Sequence, residues 1–191
     1  IWTELKVTNI GTRTAFTIED YQTLYGYLRN YTKNISDERE IYNRKLIRDF
    51  ILVQSNTGLR FGECRFLKWH YVSVVKGENK YPNVHIRIPS EISKVRKDRT
   101  AVGMRGDFFT RIKTYSNHTH SDDYIFSDMQ TGKYLDKKVL YKMWHLIMKE
   151  SGLEESLNDY TYYCLRHTFA TYRLQYGKVD IRTLAKIMGC S

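Results

Sequence analysis

The sequence predicts a mainly α-helical domain that also contains a small three-stranded antiparallel sheet, an α+β fold. Most of the chain of 191 residues lies in segments whose apolar side chains recur at helical spacing. Three shorter segments, 71–75, 84–88 and 100–104, are instead rich in β-branched residues and partly alternate between apolar and polar. With 41% hydrophobic residues and only two prolines, the chain is long enough for one sizeable core. We therefore expect a single domain without internal repeats.

The predicted helices of the first half have recognisable ends. Thr17, with an acidic residue three positions later, is typical of an N-cap and predicts a helix that runs to about Arg29. Ser36 is followed by acidic residues, which favour a first helical turn, so a second helix is expected to begin there. Gly58 is expected to end that helix, and the apolar pattern over 61–69 predicts a short third helix.

The second half begins with the predicted strands and then returns to helix. A loop with glycine and proline separates the first two strands, and a strongly charged turn separates the second from the third. Four helical patterns follow, and Gly177 is expected to cap the third of them. These patterns begin near Asp107 and cover 135–149, 163–176 and 181–188.

The charge of the chain favours a polyanionic partner. The formal net charge is +10, and residues 60–113 alone contain 13 Lys/Arg against 5 Asp/Glu. A local excess of this size is typical of nucleic-acid binding. A solvated basic face combined with a general basic bias is the alternative that charge alone leaves open.

Composition also argues against several classes of protein. No apolar run approaches the ~18 residues of a membrane helix, and the N-terminus lacks a signal-peptide pattern, so we expect no membrane partner. Three widely spaced cysteines favour a reducing, cytoplasmic environment over a disulfide framework. Without a CxxC pair, a structural zinc site has little support, and no metal or cofactor is expected.

Two motifs place one arginine each at the start of a helical pattern. The segment 57–63 reads TGLRFGE and contains Arg60, while 162–171 reads YYCLRHTFAT and contains Arg166. Guanidinium groups bind phosphate oxygens in a bidentate, planar way that lysine cannot reproduce, so two of them can grip one phosphate from two sides. Glu63 follows Arg60 by three positions and can orient it or accept from backbone N–H groups. Taken alone, this segment also fits a surface arginine in a helical pair.

The charged turn over 93–100 lies between the second and third strands. A flexible lysine such as Lys94 at the tip of a hairpin can reach into a neighbouring cleft and deliver a proton. A solvated hairpin turn is the alternative. The other basic residues of this turn are Arg96, Lys97 and Arg99.

Helical spacing in the second motif puts Tyr163, Arg166 and His167 on one face of a helix. Leu165 and Phe169 are expected to point toward the core. His167 is interpreted as a hydrogen-bonded, supporting residue, because a metal site with the nearby cysteine would need ligands that the sequence does not place.

These motifs resemble the catalytic domain of the tyrosine recombinases, the phage-integrase family of DNA breaking-and-rejoining enzymes. The resemblance covers the chain from about residue 13 onward, which leaves 1–12 as a connector from a missing N-terminal core-binding domain. It implies that Arg60 and Arg166 bind the scissile phosphate and that Lys94 is the general acid. It also implies double-stranded DNA as the partner. Further DNA contacts are expected from Arg65, Arg96, Lys97 and Arg99.

The sequence departs from the family pattern at three places. Tyr163 stands where the family usually has histidine, and Cys190 replaces a histidine or tryptophan; both are expected beside the phosphate. A tyrosine hydroxyl can still donate to phosphate, but it cannot act as a base near neutral pH. The family's nucleophilic tyrosine lies about ten residues further on, beyond Ser191, so we expect no nucleophile in 13–191. The chain is therefore interpreted as a truncated catalytic domain that binds DNA without cleaving it.

The resemblance further implies a metal-free transesterification through a 3′-phosphotyrosine, for recombination or integration at specific sites. It implies a homotetramer on DNA for the full-length protein, a monomer for this fragment, and a bacterial or phage-encoded, nucleoid-associated enzyme. Three alternatives stay open: a non-catalytic DNA-binding module that kept the fold, a type IB topoisomerase, and a basic RNA-binding domain. The two substitutions near the phosphate favour the first of these.

Overall fold

The computed structural model describes residues 14–77, 80–156 and 159–189. Within these residues it contains seven α-helices, two single 3₁₀ turns and one antiparallel sheet, so the predicted α+β class is confirmed. The helices are α1 (Ile18–Arg29), α2 (Glu38–Thr57), α3 (Phe61–Arg65), α4 (Asp107–Lys113), α5 (Lys137–Glu150), α6 (Tyr162–Gln175) and α7 (Ile181–Met188). The strands are β1 (Val72–Val75), β2 (Asn83–Ile88) and β3 (Arg99–Gly103), and the 3₁₀ turns are Trp69–Tyr71 and Leu153–Glu155.

The ends of the first two helices follow from side-chain caps. The Thr17 hydroxyl accepts the backbone N–H of Asp20 at 3.1 Å, which confirms the predicted start of α1. Helix α2 was predicted to begin at Ser36, but it begins at Glu38. Asp37 caps this helix, because its carboxylate accepts the N–H of Glu40 at 2.7 Å and the charged oxygen is the stronger acceptor.

The third helix is shorter than the pattern over 61–69 predicts. It ends at Arg65, and Trp69 belongs to a separate 3₁₀ turn. The reason is a tertiary pairing: Lys68 forms an isolated antiparallel bridge with Tyr124, and the N–H of Ile125 donates to the carbonyl of Leu67 at 2.9 Å. The extended backbone that this pairing requires interrupts the helix.

Helix α2 lies at the centre of the core and packs against α6, α4 and α3. Leu46, Phe50 and Val53 are fully buried along it, and the ring of Phe50 contacts the rings of Phe126 and Tyr162 edge-on at 5.0 and 5.5 Å. This packing fixes the C-terminal end of α2 relative to the first turn of α6. The first arginine motif lies at the C-terminal end of α2, and the second forms the first turns of α6.

The sheet has the strand order β1-β2-β3, with both pairs antiparallel. Val84 pairs with Gly103 and Ile88 pairs with Arg99, so β2 and β3 form the hairpin that carries the charged turn. Side chains alternate across a strand, so Arg99 shares a face with Ala101 and Gly103, which are both buried. Strand β3 packs against both α7 and α2.

Gly58 ends α2 in the left-handed conformation, with φ = 64°, and a Cβ at this position would lie 2.4 Å from Cδ1 of Phe169. We expect Gly58→Ala to lower the free energy of unfolding by about 2 kcal/mol or more, because the left-handed backbone alone costs a non-glycine residue about 1–2 kcal/mol. Gly26→Ala is the matched control: it lies inside α1 with no atom within 4 Å of its added Cβ. The control should raise stability by about 0.5–1 kcal/mol. Equal effects of the two substitutions in urea unfolding would contradict this account.

Candidate active site

Arg60 is held at the first turn of α3 by Glu63. The Glu63 carboxylate accepts the backbone N–H of Arg60 at 2.8 Å with one oxygen and the Arg60 Nη1 at 3.0 Å with the other. The predicted orienting role of Glu63 is thus seen in its geometry, and Glu63 is itself only 1% exposed. The remaining terminal nitrogen, Nη2, donates to the carbonyl of Gly189 at 2.9 Å. Arg60 therefore points from α3 toward the C-terminal end of α7.

Arg166 reaches the same place from the first turns of α6. Its side chain is buried, with one terminal nitrogen bonded to the carbonyl of Gly58 and the other to the carbonyl of Met188 at 2.7 Å. Because Met188 and Gly189 are adjacent in the chain, the guanidinium groups of Arg60 and Arg166 lie next to each other. The two motifs, about a hundred residues apart in sequence, meet at the end of α7.

Arg99, which was expected to contact DNA, is a third arginine in this cluster. Its side chain is 8% exposed; Nη2 donates to Glu63 at 2.5 Å and Nη1 to the carbonyl of Ile187 at 3.2 Å. The sequence grouped Arg99 with the charged turn, whereas it is the first residue of β3, on the buried face of that strand. The alternation of β3 is the sequence signal that would have placed it inward.

The last three backbone carbonyls at the end of α7 thus each accept from a different arginine: Arg99 at Ile187, Arg166 at Met188 and Arg60 at Gly189. Carbonyls at a helix C-terminus have no partner within the helix and carry partial negative charge, so cations bind there favourably. Glu63 neutralises one of the three guanidinium charges through its contacts with two of them. The cluster is therefore rigidly held and cationic, which suits a bound anion.

Two cavities border the arginine cluster. One has a volume of about 270 Å³ and lies between α6 and α7, lined by Tyr163, Arg166, His167 and Met188 among others. The other, of about 420 Å³, lies between the β2–β3 turn and α7 and includes Lys97, Arg99 and Gly189 in its lining. Ligand-sized space thus exists on both sides of the end of α7.

The other predicted site residues lie in different surroundings. Tyr163 is 38% exposed on α6 and its ring packs edge-on against His167 at 4.7 Å. Lys94 is exposed in the turn before β3. Cys190 lies outside the described residues.

The remaining expected DNA contacts fall into two environments. Arg65 is partly buried: its Nε donates to the carbonyl of Leu135 at 2.6 Å, and its guanidinium lies over the ring of Tyr134 at 4.7 Å. This arrangement ties α3 to the segment before α5. Arg96 and Lys97 are exposed in the charged turn, where they extend the basic surface beside the cluster.

Neighbouring ionisable groups in the core stay neutral. Burial raises the pKa of the Cys64 thiol and of the Tyr162 hydroxyl well above their ordinary values. The Tyr162 hydroxyl also donates to the carbonyl of Leu140 at 2.9 Å, so this tyrosine serves the core although it lies next to Tyr163.

Among the residues described, no group of three or more His, Cys, Asp or Glu is placed to hold a metal ion. The helices of this part of the chain also include none long and apolar enough to cross a membrane.

Solved structures of DNA recombinases share this fold. The XerH site-specific recombinase bound to its difH substrate superposes with a TM-score of 0.67 at 21% identity, covering 95% of this chain and 48% of XerH. A lambda integrase tetramer bound to a Holliday junction gives 0.65 at 16% identity, covering 96% of this chain and 48% of the integrase. The Tn1549 transposon integrase in complex with a circular intermediate DNA gives 0.64 at 17%, covering 96% and 60%. The chain thus spans about half the length of XerH and lambda integrase.

The fold is therefore that of the tyrosine recombinases. The chain itself belongs to the phage integrase family, whose model matches residues 16–191. No curated protein matches it. The family expected from the two arginine motifs is thus confirmed.

Proposed function

We propose that this protein is the catalytic domain of a site-specific DNA recombinase that breaks and rejoins DNA through a covalent protein–DNA intermediate. The observation that carries the proposal is the meeting of Arg60 and Arg166 at adjacent carbonyls of α7. Membership of the phage integrase family supports the same reaction class. The structural neighbours XerH and lambda integrase were solved bound to a recombination substrate and to a Holliday junction, respectively.

In this proposal the two arginines bind the non-bridging oxygens of one phosphodiester. Negative charge on those oxygens grows as the nucleophile attacks, so preorganised donors stabilise the transition state more than the ground state. A guanidinium carries five N–H donors, and the contacts of Arg60 within the described residues use two of them. Tyr163, which borders the neighbouring cavity with Arg166, donates its hydroxyl to a phosphate oxygen.

The covalent step needs a tyrosine that we place beyond Ser191 in the full-length protein. Its hydroxyl oxygen forms the new bond to phosphorus and releases its proton to solvent, the bond from phosphorus to the 5′ oxygen breaks, and Lys94 gives the leaving 5′ oxygen its proton. The product is a 3′-phosphotyrosine and a free 5′-hydroxyl, and the reverse reaction reseals DNA without ATP. In this proposal the full-length protein assembles as a tetramer on DNA in the cytoplasm.

The test is the covalent adduct between the full-length protein and a nicked DNA substrate. We expect Lys94→Ala to slow adduct formation about 10²-fold or more, within the range of general acid catalysis. A substrate with a bridging 5′-sulfur, whose thiolate leaves without a proton, should restore the rate of this variant. Lys97→Ala, which removes another exposed lysine of the same turn, is the matched control and should need no rescue.

A failure of the sulfur substrate to rescue Lys94→Ala would contradict the general-acid role. The second candidate function is a non-catalytic DNA-binding module, which is favoured by tyrosine at position 163 in place of the usual histidine. It predicts that the unmodified full-length protein shifts DNA in a gel but forms no adduct with either substrate. Site-independent relaxation of plasmid DNA would instead indicate a topoisomerase.

A further inference from the structure

Helices α1, α2 and α4 enclose a cavity of about 240 Å³ that lies away from the arginine cluster at α7. Its lining contains three arginines, Arg29, Arg48 and Arg111, together with Tyr25, and no acidic residue. Position 49 on α2 precedes Gly58 by nine residues, which corresponds to about 14 Å along a helix axis. The cavity is therefore separate from the site that holds Arg60 and Arg166.

A buried carboxylate fixes two of these arginines. Asp49 is fully buried, and it accepts from Nε of Arg48 at 3.1 Å, from Nε of Arg111 at 3.3 Å, and from the Tyr115 hydroxyl at 2.8 Å. The Nη2 groups of both arginines also donate to it. Each guanidinium thus binds Asp49 with one edge, while its remaining Nη1 has no bonded acceptor among the residues described.

The charges around the cavity do not balance. One carboxylate offsets one guanidinium charge, whereas three guanidinium groups line the cavity. Arg29 forms no ion pair within the described residues. Arg48 and Arg111 are oriented by Asp49 before any ligand arrives, which reduces the entropic cost of binding. Preoriented guanidinium forks match the oxygens of phosphoryl groups, and the Tyr25 hydroxyl can supply a further donor.

We propose that this cavity is a second anion-binding site, which takes a small ligand bearing one or two phosphoryl groups. Its volume corresponds to about eight water molecules at ~30 Å³ each, enough for a diphosphate but not for a folded macromolecule. Leu28 and Leu52 close part of the lining with apolar surface, so the arginines face a space that is partly shielded from solvent.

Titration calorimetry with inorganic pyrophosphate and with orthophosphate tests this site. Arg29→Gln is the informative variant, because Arg29 contributes no contact to the Asp49 cluster and its loss leaves the fold intact. We expect it to weaken pyrophosphate binding about tenfold or more, the usual effect of losing one charged hydrogen bond. Orthophosphate should bind the unmodified protein more weakly than pyrophosphate. The matched control is Arg39→Gln, whose side chain is 60% exposed and pairs only loosely with Asp128, at 3.9 Å.

A second readout follows the side-chain Nε–H signals of Arg48 and Arg111 by NMR, which should shift on addition of pyrophosphate. The Arg60 signal, followed in the same spectra, reports binding at the other site separately. Equal pyrophosphate affinities of Arg29→Gln and Arg39→Gln would overturn the proposal. It would equally be overturned if Arg29→Gln weakened binding to a DNA duplex while its affinity for pyrophosphate stayed unchanged. In that case the pocket contacts the DNA backbone.

Discussion

Replacing Arg60 or Arg166 by lysine should reduce covalent attachment of the full-length protein to nicked DNA by about 10²–10³-fold, the cost of losing one preorganised donor at a transition state. Lysine keeps the positive charge but cannot form the two-pronged contact that a guanidinium makes. The two terminal nitrogens of Arg166 donate to the carbonyls of Gly58 and Met188, and a single ammonium group cannot reach both with the same geometry.

The charge-conserving substitutions separate chemistry from binding. Because the net charge is unchanged, the affinity for duplex DNA and its dependence on salt should stay close to those of the unmodified protein. Arg39→Lys, on the exposed face of α2, should alter neither quantity. Adduct formation by Arg60→Lys or Arg166→Lys at a near wild-type rate would remove these arginines from the proposed mechanism. Circular dichroism and thermal unfolding must first show that each variant is folded.

The second large effect concerns Glu63, which is the buried acid shared by Arg60 and Arg99. We expect Glu63→Ala to lower the free energy of unfolding by about 3–5 kcal/mol, because removing one partner leaves the other charges buried without compensation. For a domain of this size that corresponds to a fall in melting temperature of about 10 °C. The substitution should also reduce adduct formation, because Arg60 loses the carboxylate that orients it.

The matched control for this prediction is Glu40→Ala. Glu40 pairs with Arg44 on the surface of α2 at 2.7 Å, and its side chain is 47% exposed, so its loss should cost less than about 1 kcal/mol. Urea unfolding measures both variants under identical conditions. If Glu63→Ala were no more destabilising than Glu40→Ala, the buried network would contribute little to the stability of the domain.

Local patterns predicted the elements of this fold well. The caps at Thr17 and Gly58 and the bounds of α7 follow from hydrogen-bonding side chains, backbone freedom and helical spacing, all of which act over a few neighbouring residues. The third helix was predicted too long because a distant segment around Tyr124 pairs with Lys68. No local pattern contains that pairing.

The candidate site was likewise predicted only in part from the sequence. Spacing alone placed Glu63 where it can orient Arg60, and the structure has this contact. Arg99, by contrast, was grouped with the charged turn as an expected DNA contact, and only the strand alternation of β3 indicates that it points inward. The three-arginine cavity around Asp49 had no sequence signal, since its members come from three separate helices.

Residue types at short, fixed spacings were sufficient to predict the family, the α+β class and the two arginines expected to bind phosphate. The tertiary structure alone decided where those arginines meet. Arg60, Arg99 and Arg166 are brought together by the end of α7, whose last carbonyls lack partners within the helix and accept from one arginine each. That contact joins the consecutive helices α6 and α7 to α3 and β3, which lie far from them along the chain, so it exists only once the core around α2 has fixed their relative positions.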